Sequence, residues 1–202
     1  WVLFYSAGGA IGWSTAADGH SYLKAPGPAL FADGAEEGHL LGAPAAVRLG
    51  DRVRVYYAAN GSIWAAEAPW ADIIARRATT WTRIDGDPST PVRDPMVRGA
   101  PYAISVDRPQ ARAAMTPGGR LRHDLYFTAI IPSLSGPAGT TTTTAGFASS
   151  FTGDLFEVAP APILPAMQVG RSPAETPYQD HAILLYADQF GARQAIAAAE
   201  SP

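Results

Sequence analysis

The sequence predicts an all-β protein, a β-propeller of four-stranded antiparallel blades, with about three and a half to four blades visible in 202 residues. Three observations predict it. An aromatic-rich strand, a short turn and a second strand ending in small residues recur four times. A short aromatic-polar segment closing on a proline follows three of these copies. A segment opened by an x-x-Pro triplet precedes three of them. A long repeat made only of short strands is the pattern of stacked blades.

The middle strands come first. Val2-Leu3-Phe4-Tyr5-Ser6-Ala7 leads to Ala10-Ile11-Gly12-Trp13-Ser14-Thr15-Ala16, and Val53-Arg54-Val55-Tyr56-Tyr57-Ala58 leads to Ser62-Ile63-Trp64-Ala65-Ala66. Asp124-Leu125-Tyr126-Phe127-Thr128-Ala129 pairs with Ala145 to Ser150 after a longer loop, and Ala182 to Ala187 with Gln194 to Ala199. Aligning Tyr5, Tyr57, Tyr126 and Tyr186 gives separations of 52, 69 and 60 residues. The outer segments are Tyr22-Leu23-Lys24, Trp81-Thr82-Arg83 and Phe156-Glu157-Val158. The triplets Gly42-Ala43-Pro44, Arg93-Asp94-Pro95 and Glu175-Thr176-Pro177 are expected to open inner strands, since proline at a strand's first residue loses no ladder hydrogen bond. The reading is one domain, with a partial blade at 1–36, blades at 37–91 and 92–170, and a partial blade at 171–202. The first copy lacks an inner segment and the last an outer one, so the chain is expected to be incomplete at both ends, with open strand edges.

Composition agrees. Hydrophobic content of 47% and charged content of 16% exclude a disordered chain. No apolar run reaches the ~20 residues of a membrane helix. There are no cysteines, so disulfides and thiolate metal sites are excluded. The net charge of −3 is uneven, with 12 arginines against 7 acids in residues 48–122. These arginines are not clustered with aromatics, so solvated strand faces explain them better than a nucleic-acid surface. Pro69 to Arg77 reads as one short helix with proline in the first turn. Ser133 to Thr144, with its five threonines, reads as a solvated loop. Ala159 to Pro165 reads as an extended connector.

The triplets are where chemistry is expected, because inner strands of a propeller line its central channel. Tyr5-Ser6 with Ser14 to Gly19, Arg93-Asp94-Pro95, and Glu175-Thr176-Pro177-Tyr178 before Ile183-Leu184-Leu185-Tyr186 resemble the five-bladed propeller glycoside hydrolases, such as families 43, 32 and 130. The resemblance implies that Asp94 orients the sugar and stabilises the transition state, and that Glu175 is the general acid. The family's third carboxylate would stand on an inner strand preceding Trp1. Arg93, Tyr178, His39 and His181 are candidates for substrate contact, the histidines because they lie just before inner or middle strands. A structural reading stands beside this one: Asp94 paired with Arg93 or Arg98, and Glu175 with Arg171.

The four histidines have no partner at metal-ligand spacing, and no phosphate loop, calcium loop or Ser-His-Asp order is present, so neither metal nor cofactor is expected. Trp13 and Trp64 are expected to pack between adjacent blades. The functional expectation is a carbohydrate-active propeller holding a glycan or oligosaccharide in its channel. The alternative is a non-catalytic module whose open edges pair with a protein partner. No nucleic acid and no membrane span is expected, and the expected location is extracytoplasmic.

Overall fold

Two-residue turns generate several of the hairpins. β1 (Val2–Ala7) turns through Gly8 and Gly9, both at positive φ, into β2 (Ala10–Thr15), and β3 (Leu23–Lys24) adds outside it. After α1 (Gly34–Glu37) come β4 (Gly42–Leu49), β5 (Arg52–Ala59) and β6 (Ser62–Pro69), then α2 (Trp70–Ile74) and β7 (Thr82–Ile84). The β5–β6 turn is Asn60-Gly61, with both residues left-handed, as a tight hairpin of this twist requires. The third sheet holds β8 (Ser105–Met115), β9 (Leu121–Pro132), β10 (Thr141–Ser150) and β11 (Glu157–Val158). The last holds β12 (Arg171–Tyr178), β13 (His181–Phe190) and β14 (Arg193–Glu200). The computed structural model describes residues 1–133, 137 and 139–163, and the backbone of the three strands of the last sheet.

All four sheets are antiparallel, and within each the strands stand in sequence order. The second and third contain four strands, inner to outer, and the first and last contain three. Successive sheets pack side by side, β4 and β5 against β8, and β8 and β9 against β12. This is the blade arrangement the repeat predicts. Each described outer strand is also extended by a return segment that meets the strand just inside it. Leu30 bridges Ile11, Val97 bridges Ile63, and Ile163 N–H donates to the Ala145 carbonyl at 3.0 Å. In the second blade the two halves of the outer edge are separated by the loop carrying residues 85–96.

Register refines the alignment of the repeat. Tyr5 faces Gly12, Tyr57 faces Trp64, and Phe127 faces Gly146. The third member of the Tyr5 and Tyr57 series is therefore Phe127 rather than Tyr126. Side chains alternate faces along a strand, so this slip of one residue changes the blade that is contacted. Tyr57 and Trp64 pack with Ile11 and Leu30 of the first sheet, while Tyr56 and Ala65 pack with Leu125 and Phe127 of the third. Trp13 packs the opposite way, onto Val53, Val55 and Ala68, and donates its indole N–H to the Ile73 carbonyl at 3.1 Å. Trp13 and Trp64 thus fill one interblade gap from its two sides. Each such ring contributes roughly 1.5–3 kcal/mol of burial.

Two local expectations need correction. The threonine run is mostly strand: Thr141 to Thr144 open β10 and pair with Pro132 to Ala129. β-Branched side chains fit a pleated sheet, which is why the threonines extend the strand. The helix after Pro69 is shorter than expected, ending at Ile74, with Ala75 as its C-cap. No helix among the described residues is long and apolar enough to cross a membrane.

Candidate functional site

Three inner strands begin in the same irregular way. β4 opens with Gly42-Ala43-Pro44, β8 carries Asp107-Arg108-Pro109, and β12 opens with Arg171-Ser172-Pro173. In each, the pairing register shifts across the triplet: from Gly42 to Ala45, from Asp107 to Gln110, and from Arg171 to Ala174. Such a bulge bends the strand and re-aims the side chain beside it. The middle residues Ala43 and Arg108 hold φ of 45° and 49°, a conformation side chains adopt only when their surroundings enforce it. Strain recurring at one position of two blades marks these strand starts as built features.

A cleft of about 330 Å³ lies between the starts of β4 and β8, beneath the Asn60-Gly61 turn. Leu40, Leu41, Val106 and Ile130 give it apolar walls, and Gly42 leaves it room. Asp107 is its only described acidic residue, with its side chain 41% exposed. One Asp107 oxygen accepts the Arg108 backbone N–H at 2.7 Å, while the Arg108 guanidinium stands 3.9 Å from the other.

Arg93-Asp94-Pro95 lies elsewhere. It does not open an inner strand. It belongs to the loop inside the outer edge of the second blade, ten residues and more ahead of β8. The Asp94 carbonyl accepts from Gly86 N–H at 2.8 Å, and its own N–H donates to Asp85 Oδ1 at 2.9 Å. Gly86 lies so close to the Pro95 carbonyl that any side chain there would collide with it. The Asp94 carboxylate pairs with Arg98 and accepts from the Thr90 hydroxyl at 2.9 Å. It lines a separate cleft of about 270 Å³ with Asp87 and Phe156, between the outer edges of the second and third blades. Proline favours an extended predecessor in a loop as readily as at a strand start, so the triplet alone does not distinguish the two.

The other sequence candidates separate in space. Arg93 turns into the gap between the first two blades, where it stacks over Trp64 and reaches Glu37 at 2.8 Å. His39 is exposed one residue before Leu40 of the channel cleft. Glu175 sits on β12 opposite Leu184, four residues past Arg171, so its triplet falls toward the end of that strand rather than at its start. The side chains of Glu175, Tyr178 and His181 lie outside the described residues.

Two charged groupings carry no sequence signature. Glu37 is wholly buried, and its carboxylate accepts from Tyr57 Oη at 2.6 Å, Arg83 Nε at 2.9 Å and Arg93 Nη2 at 2.8 Å. Burial, then the carboxylate beside it, pushes the Tyr57 hydroxyl far above the usual tyrosine range. Between the second and third blades, Arg54 bonds Glu67 at 2.8 Å and also meets the Gly153 carbonyl and Asp154. Beside it His123 is 4% exposed and its Nδ1 has no partner among the described residues. Burial, reinforced by the Arg54 charge, holds His123 below the usual histidine range. Nothing in the local sequence signals either grouping, because their members come from strands and loops tens of residues apart.

The sequence matches no protein family model and no curated protein. The backbone does match solved structures. BT0996, solved as a complex with RGII, superposes with a TM-score of 0.67 at 11% identity, covering 100% of this chain and 70% of that one. A glycoside hydrolase superposes with a TM-score of 0.68 at 10% identity over the same shares. A thermostable family-43 glycoside hydrolase gives 0.53 at 13% identity, covering 80% of this chain and 48% of that one. At such identities the likeness is one of architecture, and it agrees with the sheet order and packing described above. The chain has the fold of the five-bladed β-propeller glycoside hydrolases.

Proposed function

We propose that this chain is carbohydrate-active and takes an oligosaccharide at the cleft where β4 and β8 begin, with Asp107 as the carboxylate that contacts the sugar. The observation that carries this reading is the placement of Asp107: it occupies the bulged start of an inner strand, beside a strained residue, in a cleft with apolar walls. A few polar groups in an apolar concavity are the usual composition of a small-ligand site. A carboxylate there accepts hydrogen bonds from sugar hydroxyls, and the exposed Leu40 side chain covers the ring's apolar face. Glycosidic cleavage needs a second carboxyl group within roughly 5–10 Å, one acid and one base or nucleophile. Glu175, the general acid the resemblance implies, is carried by the neighbouring inner strand β12 four residues past the position equivalent to Asp107, so whether it serves as that second group is what Glu175→Gln tests. Asp94, tied to Arg98 and Thr90 on the rim, holds its loop together.

The test is a panel of oligosaccharides assayed for binding and hydrolysis with the wild-type chain, Asp107→Asn, Glu175→Gln and Asp94→Asn. Asp107→Asn is expected to lower binding or turnover by about 100-fold, of the order of losing a charge-assisted hydrogen bond pair. Glu175→Gln is expected to lower turnover with little change in binding. Asp94→Asn is expected to shift the unfolding midpoint more than the sugar assays. Undiminished binding and turnover by Asp107→Asn would remove the proposed site.

A further inference from the structure

A groove of about 330 Å³ runs along the outer wall between the first and second blades, sharing no residue with the channel cleft. Leu30 forms part of its floor, and Phe31, Asp33, Thr79, Trp81 and Arg83 supply aromatic and polar groups around it. The buried Glu37 carboxylate fixes Arg83 from below through Nε, and the Phe31 carbonyl takes a further N–H from Nη2. The remaining nitrogen, Nη1, stands 3.6 Å from Asp33 Oδ2, and Arg93 Nη1 stands 3.6 Å from the same oxygen. These separations exceed direct hydrogen-bond reach. An acceptor and two donors held apart in this way are bridged by a group that both donates and accepts, which is what a hydroxyl does. The buried indole N–H of Trp81 also has no acceptor among the described residues. Phe31, 65% exposed, presents an aromatic side chain beside these groups.

We propose that this groove is a second glycan-binding site, separate from the channel, which holds a neutral sugar unit of a polysaccharide. One sugar hydroxyl lies between Asp33 and the two guanidiniums, and a ring C–H face rests on the aromatic edge. The sugar is neutral because the charges already balance: Arg83 and Arg93 are matched by Glu37 and Asp33. The groups are held before the ligand arrives, so little ordering is needed on binding. A site on the outer wall keeps a long polymer in contact while the channel engages a single stretch of it, a gain that comes from linkage rather than from new contacts.

The test is affinity electrophoresis of the whole chain through native gels containing arabinan, xylan or inulin, with Phe31→Ala, Asp33→Ala and Asp107→Asn run beside the wild type. Both changed groove residues are well exposed, so the fold is expected to persist, and a thermal melt checks it. Retardation is expected in at least one gel, weakened about tenfold by Phe31→Ala and by Asp33→Ala, and retained by Asp107→Asn. In a ¹⁵N-labelled sample the Trp81 indole N–H resonance, identified by its absence in Trp81→Phe, is expected to shift with the same polysaccharide. No retardation of the wild type in any gel, or wild-type retardation of both groove variants, overturns the proposal. If Asp107→Asn leaves oligosaccharide assays unchanged while Phe31→Ala abolishes retardation, the channel reading fails and this one stands.

Discussion

Between the first and second blades, Glu37 meets Tyr57, Arg83 and Arg93, while between the second and third, Arg54 meets Glu67 and Asp154 beside His123, whose Nδ1 has no partner among the described residues. Both gaps are otherwise filled alike, by rings and small residues from facing sheets. The wedge between blades is therefore closed by apolar packing, and charge is added on top of it. In the first gap the charge bolts a connecting segment, α1, onto the second blade just before the channel mouth at Leu40. In the second it ties the Gly153-Asp154 turn to β5. The first arrangement surrounds an acid with cations. The second surrounds a cation with acids and sets a neutral base next to it.

The largest expected effect separates these two designs. Glu37→Ala removes the acceptor shared by two partly buried guanidiniums and a buried hydroxyl, and leaves them facing one another. Breaking a buried pair on one side costs about 3–5 kcal/mol, because the remaining charge loses its counterion without regaining water. Urea unfolding should report a loss of that order. Glu37→Gln keeps the volume and some hydrogen bonds, and should lose less. A loss below about 1 kcal/mol for Glu37→Ala would mean that packing alone holds α1 in place.

The second gap is expected to be the acid-sensitive one. His123 has a folded pKa below its ordinary value of about 6.5, so on acidification the unfolded chain takes up the proton first. The stability it contributes is present above pH ~6.5 and is lost as pH falls below that value. Glu67 acts in the same direction at lower pH. Burial opposes its ionisation, but the guanidiniums of Arg52 and Arg54 prevail and hold its pKa below the usual 4.5, so its share is lost as pH falls beneath that. Thermal midpoints measured at pH 7.5 and 5.5 should therefore fall with pH, and His123→Gln should flatten the decline. An unchanged slope in His123→Gln would place the acid-sensitive group elsewhere.

The contrast also shows what could be read from residues alone. The middle strands were legible because an adjacent aromatic pair, Phe4-Tyr5, Tyr56-Tyr57 or Tyr126-Phe127, recurs in a short β-branched or apolar run before a turn. The outer strands were legible because each repeats an aromatic-polar pair before a proline. Of the inner strands, β4 was legible from Gly42-Ala43-Pro44, and the starts of the other two were not. β8 reads Ser-Val-Asp-Arg-Pro-Gln-Ala-Arg-Ala-Ala-Met, and an inner strand whose exposed residues face a solvated channel carries little of the apolar alternation that marks other strands. Arg93-Asp94-Pro95 offered the sharper motif and drew the alignment to itself, while Asp107-Arg108-Pro109 held the equivalent place. The two triplets share a local dihedral preference, and only pairing with β9 tells them apart. Glu37 was invisible for a different reason: its partners at 57, 83 and 93 are assembled by the fold and follow no local spacing.

The smallest expected effect concerns an ion pair outside both gaps. Arg77 reaches Asp72 at 3.0 Å across the end of α2, but its side chain is 64% exposed. Water screens such a pair and the long side chain loses rotamer freedom in forming it, so its contribution is about 0–1 kcal/mol and shrinks with salt. Arg77→Ala should move the urea midpoint slightly at low ionic strength and not measurably at ~1 M salt. Arg83→Ala, with the same chemistry but a side chain 19% exposed against the buried Glu37, should keep most of its effect at both. If the two variants respond to salt alike, burial is not what distinguishes the interblade charges from those on the surface. The two gaps would then differ only in which residues they use.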